Sequence, residues 1–185
     1  MMTFTTDLQT LLPQLSPWLS ETEAAHALTY QHPARQQQYQ GGRALLRQLV
    51  CETHGYAPEQ VHIRRQPNGA PLLQIAGVSW FCSISHTANA VAVAASPTQP
   101  LGIDIEQLKP RRRQDAIIKQ YQNGFFVDIG PNDLEGFYQR WTLAEAVTKL
   151  EQGLLLKTLR RDPSNYLKKA EFQHQDHCLT CLYRP

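Results

Sequence analysis

The sequence predicts a mixed α+β protein, and three observations carry that prediction. Two stretches, 20–53 and 134–151, hold helix signals; the residues from 61 to 105 hold short strand and turn signals; and the two kinds of segment do not alternate as in a βαβ chain. The chain has 185 residues with 10 Gly and 12 Pro, which excludes collagen-like and low-complexity classes. That length accommodates one ordinary core or two small ones.

The elements follow in order. Ser20-Glu21-Thr22-Glu23 is a capping box, in which the Ser20 hydroxyl accepts from the Glu23 N–H and the Glu23 carboxylate reaches back. Pro33 interrupts the helix it starts. A second helix runs from 34 to about 53, with Tyr39, Leu45, Leu46, Leu49 and Val50 as its apolar face. Gly41-Gly42 inside it either weakens the helix or marks a close approach by another element. Strands are expected at 61–64, 72–75 and 91–95, with Pro67-Asn68-Gly69 as a turn and 80–85 leading into a turn that contains His86 and Asn89. The proline-bounded connector 97–100 divides the chain into halves 1–100 and 101–185. In the second half, 101–105 reads as a strand, 109–121 as a segment that begins basic and becomes helical, and 170–182 as two short strands. The helix 134–151 packs Leu134, Phe137, Tyr138, Trp141, Leu143, Ala146 and Leu150 inward and is expected to stop at Gly153.

Charge narrows the function classes. With 18 basic and 16 acidic residues the net charge is +2, and no stacking aromatics interleave with Lys109 and Arg111-Arg112-Arg113, so no nucleic-acid partner is expected. No apolar run reaches the roughly 18 residues that span a bilayer. The first residues lack a basic region and contain Asp7, so no membrane association is expected and the localisation read from the chain is cytoplasmic. Four cysteines are too few for a disulfide scaffold. His174, His177, Cys178 and Cys181 have the look of a zinc site, but on a strand Cys178 and Cys181 point to opposite faces.

Three constellations could do chemistry. In Gly102-Ile103-Asp104-Ile105-Glu106 the two carboxylates share one strand face and repel unless water, a cation or a base compensates; oxygen ligands of this kind suit Mg²⁺. The plain alternative is a strand end with its polar face in water. Trp141, Glu145 and Lys149 are spaced to share a helix face, which reads either as a surface ion pair beside a core tryptophan or as a carboxylate and cation completing a magnesium–phosphate site. In Phe81-Cys82-Ser83-Ile84-Ser85-His86 a hydroxyl and an imidazole could hold a phosphate; the rival, a serine nucleophile, lacks a Gly-x-Ser-x-Gly elbow.

Taken together, these segments with Gly42-Arg43-Ala44-Leu45-Leu46-Arg47 and Asn68-Gly69-Ala70-Pro71 resemble the phosphopantetheinyl transferases, specifically the monomeric surfactin-synthetase type. The resemblance implies two similar halves related by a pseudo-twofold, each a small antiparallel sheet packed with helices. It implies transfer of the 4′-phosphopantetheine arm from coenzyme A to a serine of an apo acyl or peptidyl carrier protein, releasing 3′,5′-ADP, in fatty acid, polyketide or nonribosomal peptide biosynthesis. Asp104, Glu106 and Glu145 would surround Mg²⁺ on the pyrophosphate, Glu145 would deprotonate the serine, and Lys149 would neutralise pyrophosphate charge. Arg43, Ser85 and His86 would hold phosphates of coenzyme A, with Gly69 and Pro71 beside the adenine. The first half would thus hold coenzyme A and the second the metal strand and catalytic helix, while Lys109 and Arg111 to Arg113 could meet an acidic carrier. Two lysines usual in that family are replaced by Ala70 and Ala144, so the alternative is a degenerate relative that binds coenzyme A or a carrier without transfer.

Overall fold

A computed structural model describes residues 1–183. It is α+β, with a five-stranded and a three-stranded sheet in two compact units, the first 1–100 and the second beginning at Leu101.

In the first unit, β1 (Met2–Thr5), β2 (Val61–Arg65), β3 (Pro71–Ile75), β4 (Val78–Thr87) and β5 (Ala90–Ser96) form an antiparallel sheet in the order β1-β5-β4-β3-β2. The helices are α1 (Leu8–Leu15), α2 (Glu21–Ala27) and α3 (Pro33–His54). β5 is buried from end to end, as a strand between two others with both faces covered must be, which is why all its residues but Ser96 are small and apolar, with no polar alternation. Leu46, Val50, Leu73, Ile75, Val91 and Val93 form the middle of the core; full burial of a side chain of this size contributes about 1.5–3 kcal/mol. The capping box at Ser20 is present at the start of α2. Pro33 does not merely end a helix: it occupies the first turn of α3, where its missing N–H has no helical partner anyway.

The glycine pair in α3 marks a close approach. A Cβ on Gly41 would lie 2.3 Å from Leu8 Cδ1, and one on Gly42 would lie 2.8 Å from Ile84 Cγ2, so the helix seats directly on α1 and β4. β1 and α1 carry no clear sequence signal, because α1 is short and contains Pro13. Asp7 is its N-cap, accepting from Thr10 N–H at 3.4 Å, and Asn89 between β4 and β5 takes the Leu8 and Gln9 N–H groups at 2.8 Å each.

In the second unit, β6 (Leu101–Gln107), β7 (Ala170–Gln173) and β8 (His177–Tyr183) pair antiparallel in the order β6-β8-β7. Four helices accompany them, α4 (Gln114–Gln120), α5 (Leu134–Glu151) and the short α6 (Leu155–Thr158) and α7 (Ser164–Leu167). The basic segment from Lys109 therefore becomes helical only at Gln114. α5 has the expected bounds, but its left-handed terminal residue is Gln152, at φ 52°, and Gly153 follows it, donating to Thr148 O at 2.9 Å. α5 packs on the sheet face that carries Gly102, Asp104 and Glu106: Thr142 Oγ1 lies 2.6 Å from Thr180 Oγ1, and Thr180 is the register partner of Asp104. A Cβ on Gly102 would stand 1.9 Å from Ala146 O, so only glycine lets β6 lie this close to the helix backbone. Ile103 and Ile105 are buried on the other face.

Candidate active site

The first unit holds a small cavity of about 130 Å³ walled by cations and aromatic rings. Arg43, Gly69, Pro71 and His86, singled out in the sequence, line it together. Arg35, Arg65, Tyr30 and Tyr39 also line it, beside Gln38 and Ile84, and were not singled out as site residues; nothing but an arginine's position on the same helix face, Arg35 two turns before Arg43, could have flagged them. No acidic residue lines the cavity, so three guanidiniums and an imidazole make it a site for anions. Two larger cavities, one beside α1 and one around Tyr166, lie away from these residues.

Each cation is held in place. Arg43 is buried, donates from Nη1 to Arg64 O at 3.1 Å, and lies 5.2 Å from the Tyr39 ring centre. Arg35 Nη1 donates to His86 Nε2, since a guanidinium has no acceptor to offer. Gly69, at φ +88°, keeps the turn open beside Arg65. Ser85 is not brought to this cavity. His86 and Ile84 share the β4 face that meets α3, and Ser85, one residue before His86, is buried on the opposite face.

The second unit holds the acidic constellation. Asp104 and Glu106 share a face of β6, as the alternation predicts, and Glu145 and Lys149 reach toward it from α5. Lys149 Nζ donates to Asp104 Oδ1 at 2.7 Å and to Ile103 O at 3.1 Å, so in this arrangement its charge is set against Asp104. Burial first, and then the negative charge of Asp104, pushes the Glu145 carboxyl above the ordinary glutamate range; Lys149 opposes this, Glu106 adds to it and Arg111 opposes it. Among the described residues no three His, Cys, Asp or Glu side chains converge around one point as metal ligands do. The donor chemistry is nevertheless that of a hard divalent cation, three oxygen-only side chains whose mutual repulsion an added positive charge would relieve.

Ala144, where a lysine would add charge, is wholly buried in the core of this unit with Leu143 and Val147. A lysine there would start from the packed side of α5, so the alanine suits this fold and is no simple vacancy at the site. Of the set-aside zinc residues, His174 Nδ1 lies 2.7 Å from Glu135 Oε1, Cys178 Sγ lies 3.4 Å from Thr142 Oγ1, and Cys181 is buried on the other face of β8. Burial pushes the Cys178 and Cys181 thiols up to about 11.

The chain resembles known proteins along most of its length. A family model described as 4′-phosphopantetheinyl transferase, N-terminal, matches residues 9–98. The 4′-phosphopantetheinyl transferase HetI of Nostoc sp. is 27% identical over 145 residues, covering 75% of this chain and 61% of the relative. The 4′-phosphopantetheinyl transferase psf-1 of Bacillus pumilus is 27% identical over 145 residues, 75% of this chain and 60% of the relative. A phosphopantetheinyl transferase of Thraustochytrium sp. is 26% identical over 125 residues, 58% of this chain and 43% of the relative. The chain thus spans about three fifths of the length of the first two relatives and less of the third.

Proposed function

We propose that this chain, which is similar to 4′-phosphopantetheinyl transferases over three quarters of its length, transfers the 4′-phosphopantetheine arm of coenzyme A to a serine of an apo acyl or peptidyl carrier protein, in the manner of the surfactin-synthetase type. The serine oxygen forms a bond to the phosphorus that carries the arm, the diphosphate P–O bond breaks, and 3′,5′-ADP leaves. The observation that carries this reading is the pairing of β6 and α5 that gathers Asp104, Glu106, Glu145 and Lys149 within electrostatic reach.

Asp104, Glu106 and Glu145 would hold Mg²⁺, which when bound supplies charge neutralisation at the diphosphate. Glu145, whose proton affinity is raised by burial and by Asp104, is suited to take the proton of the incoming serine. Lys149, free to turn from Asp104 toward an anion, is the neutralising side chain on the helix. The cationic cavity of the first unit, with Arg43 and His86, suits a phosphate group of coenzyme A, and Gly69 and Pro71 its neighbouring base. We assign it to the cytoplasm as a monomer acting on carrier proteins of fatty acid, polyketide or nonribosomal peptide synthesis.

The second reading, a relative that binds coenzyme A or a carrier without transfer, is favoured by one observation: Lys149 closes on Asp104. Incubation with coenzyme A, Mg²⁺ and several apo carrier proteins separates the two. Transfer adds roughly 340 Da to a carrier in the mass spectrum, the size of the arm. Binding by calorimetry with no mass gain on any carrier and no 3′,5′-ADP released would establish the second reading instead.

A further inference from the structure

The acidic row of the second unit has a second cation beside it that the reaction as described leaves unused. The segment after β6 is tied down at two points: Leu108 N–H donates to Asp176 O at 2.8 Å, and Tyr138 Oη of α5 donates to Lys109 O at 2.8 Å. Two residues on, the Arg111 guanidinium carbon lies 4.5 Å from the centre of the Trp141 ring. That ring stacks on Phe137 at 5.9 Å and 16°, and Phe137 stacks on Phe126 at 5.3 Å and 21°. Phe126 and Phe137 are among the largest fully buried side chains, so a column of rings runs outward from the core and ends in a guanidinium. Arg111 itself is exposed.

Cation–π contact uses the face of a guanidinium and leaves its in-plane N–H donors available. No hydrogen bond joins those donors to an acceptor among the described residues. Trp141 stands one helical turn before Glu145, and the Arg111 charge is felt at the Glu145 carboxyl. Lys149, one turn after Glu145, is set against Asp104. Three carboxylates therefore have two cations near them, Lys149 in its exchangeable pair with Asp104 and Arg111 on the Trp141 ring, and a diphosphate placed there can draw on both.

We propose that Arg111 is a substrate-binding residue of this site, presenting the in-plane donors of its stacked guanidinium to the non-bridging oxygens of the coenzyme A diphosphate. The assignment rests on the transferase reading for its substrate, but not for its test. The Trp141 ring holds the guanidinium beside the acidic row, where its forked donors can meet two oxygens of one anion. An anion on the guanidinium offsets the positive charge over the indole, which makes Trp141 a reporter.

Calorimetry with inorganic pyrophosphate and with coenzyme A, each with Mg²⁺, would be run on the wild type, Arg111→Ala and Arg111→Lys. Arg111→Ala should weaken both ligands by about tenfold or more, the loss typical of a charged hydrogen bond, and Arg111→Lys should recover only part. Pyrophosphate should also change the tryptophan emission of the wild type, and that change should shrink in Arg111→Ala. Thermal melting of the variants confirms that they fold. Unaltered affinities in Arg111→Ala, or no pyrophosphate binding by the wild type, would overturn the proposal. So would a loss confined to the KM for the carrier, which would place the charge against the protein partner. Arg111-dependent pyrophosphate binding by a protein that modifies no carrier would sink the transferase reading and leave the anion site standing.

Discussion

Two ion pairs, one in each unit, use the same chemistry to different ends. Arg47 of α3 and Glu23 of α2 meet through two bonds of 2.7 and 3.0 Å, and each side chain is 6% exposed. Further bonds surround the pair: Arg47 also donates to Trp18 O and Val61 O, and Glu23 Oε2 accepts from the Ser20 N–H and hydroxyl. Lys149 and Asp104 meet through a single bond of 2.7 Å, and Lys149 is 30% exposed. Its ammonium has three donors and two acceptors, Asp104 Oδ1 and Ile103 O. The buried, doubly bonded pair locks helices together; the partly exposed single bond can be traded for a ligand.

Breaking the buried pair should have the largest effect. Glu23→Gln leaves a buried guanidinium without its counter-charge and should cost about 3–5 kcal/mol in urea unfolding, while Glu23→Leu with Arg47→Met should recover much of it. Burial alone would raise the Glu23 carboxyl, but the Arg47 hydrogen bonds and charge, with Ser20, outweigh burial and hold it below the ordinary 4.5. A depressed carboxyl stabilises the fold above its unfolded value and ceases to do so as pH falls through its folded value. Wild-type stability should therefore decline below about pH 4.5 more steeply than that of Glu23→Gln. Parallel pH curves for the two proteins would show that the pair is held by geometry and not by charge.

The partly exposed pair should matter for turnover. Asp104→Ala should lower kcat/KM by about a hundredfold or more, partly restored by excess Mg²⁺. His86→Ala should mainly raise the KM for coenzyme A, by about tenfold, without a magnesium response. A magnesium titration of initial rates checks both, and equal losses with no response in either would make Asp104 only the clamp on Lys149.

The smallest effect sharpens the comparison between the units through their glycines. Gly102→Ala drives a methyl group into the α5 backbone and should cost about 1–3 kcal/mol by thermal or chemical unfolding. Gly42→Ala meets only the Ile84 side chain, which can turn away, and should cost less. A reversed order would mean that α5 shifts more readily than the side chain does.

What was legible in the sequence is what local spacing encodes. The capping box at Ser20, the bounds of α5, and the division of β6 into an acidic and an aliphatic face all follow from nearest-neighbour periodicity. Whether the tandem Ser85-His86 acts as one unit is also a matter of periodicity: on an extended strand only one of the two can face α3, and that one is His86. The contacts between distant residues were not legible. Lys149 finds Asp104 across 45 positions and Arg35 finds His86 across 51, and no single sequence reports such meetings. Gln152 in the left-handed position ahead of Gly153 shows a further limit, since the propensity for glycine is overridden when the next residue completes the cap.

The order β6-β8-β7 has a consequence for how the protein is made. Among the described residues the strand bearing Asp104 and Glu106 pairs with β8 alone, which begins at His177, so its partner does not begin until 70 further residues beyond Gln107 have been translated. At about 5–20 residues per second a ribosome takes roughly 4–14 seconds over that interval. All five strands of the first sheet are by then already synthesised. During that wait an apolar strand with two carboxylates lies unpaired in the nascent chain, and it is there that a chaperone would find a purchase.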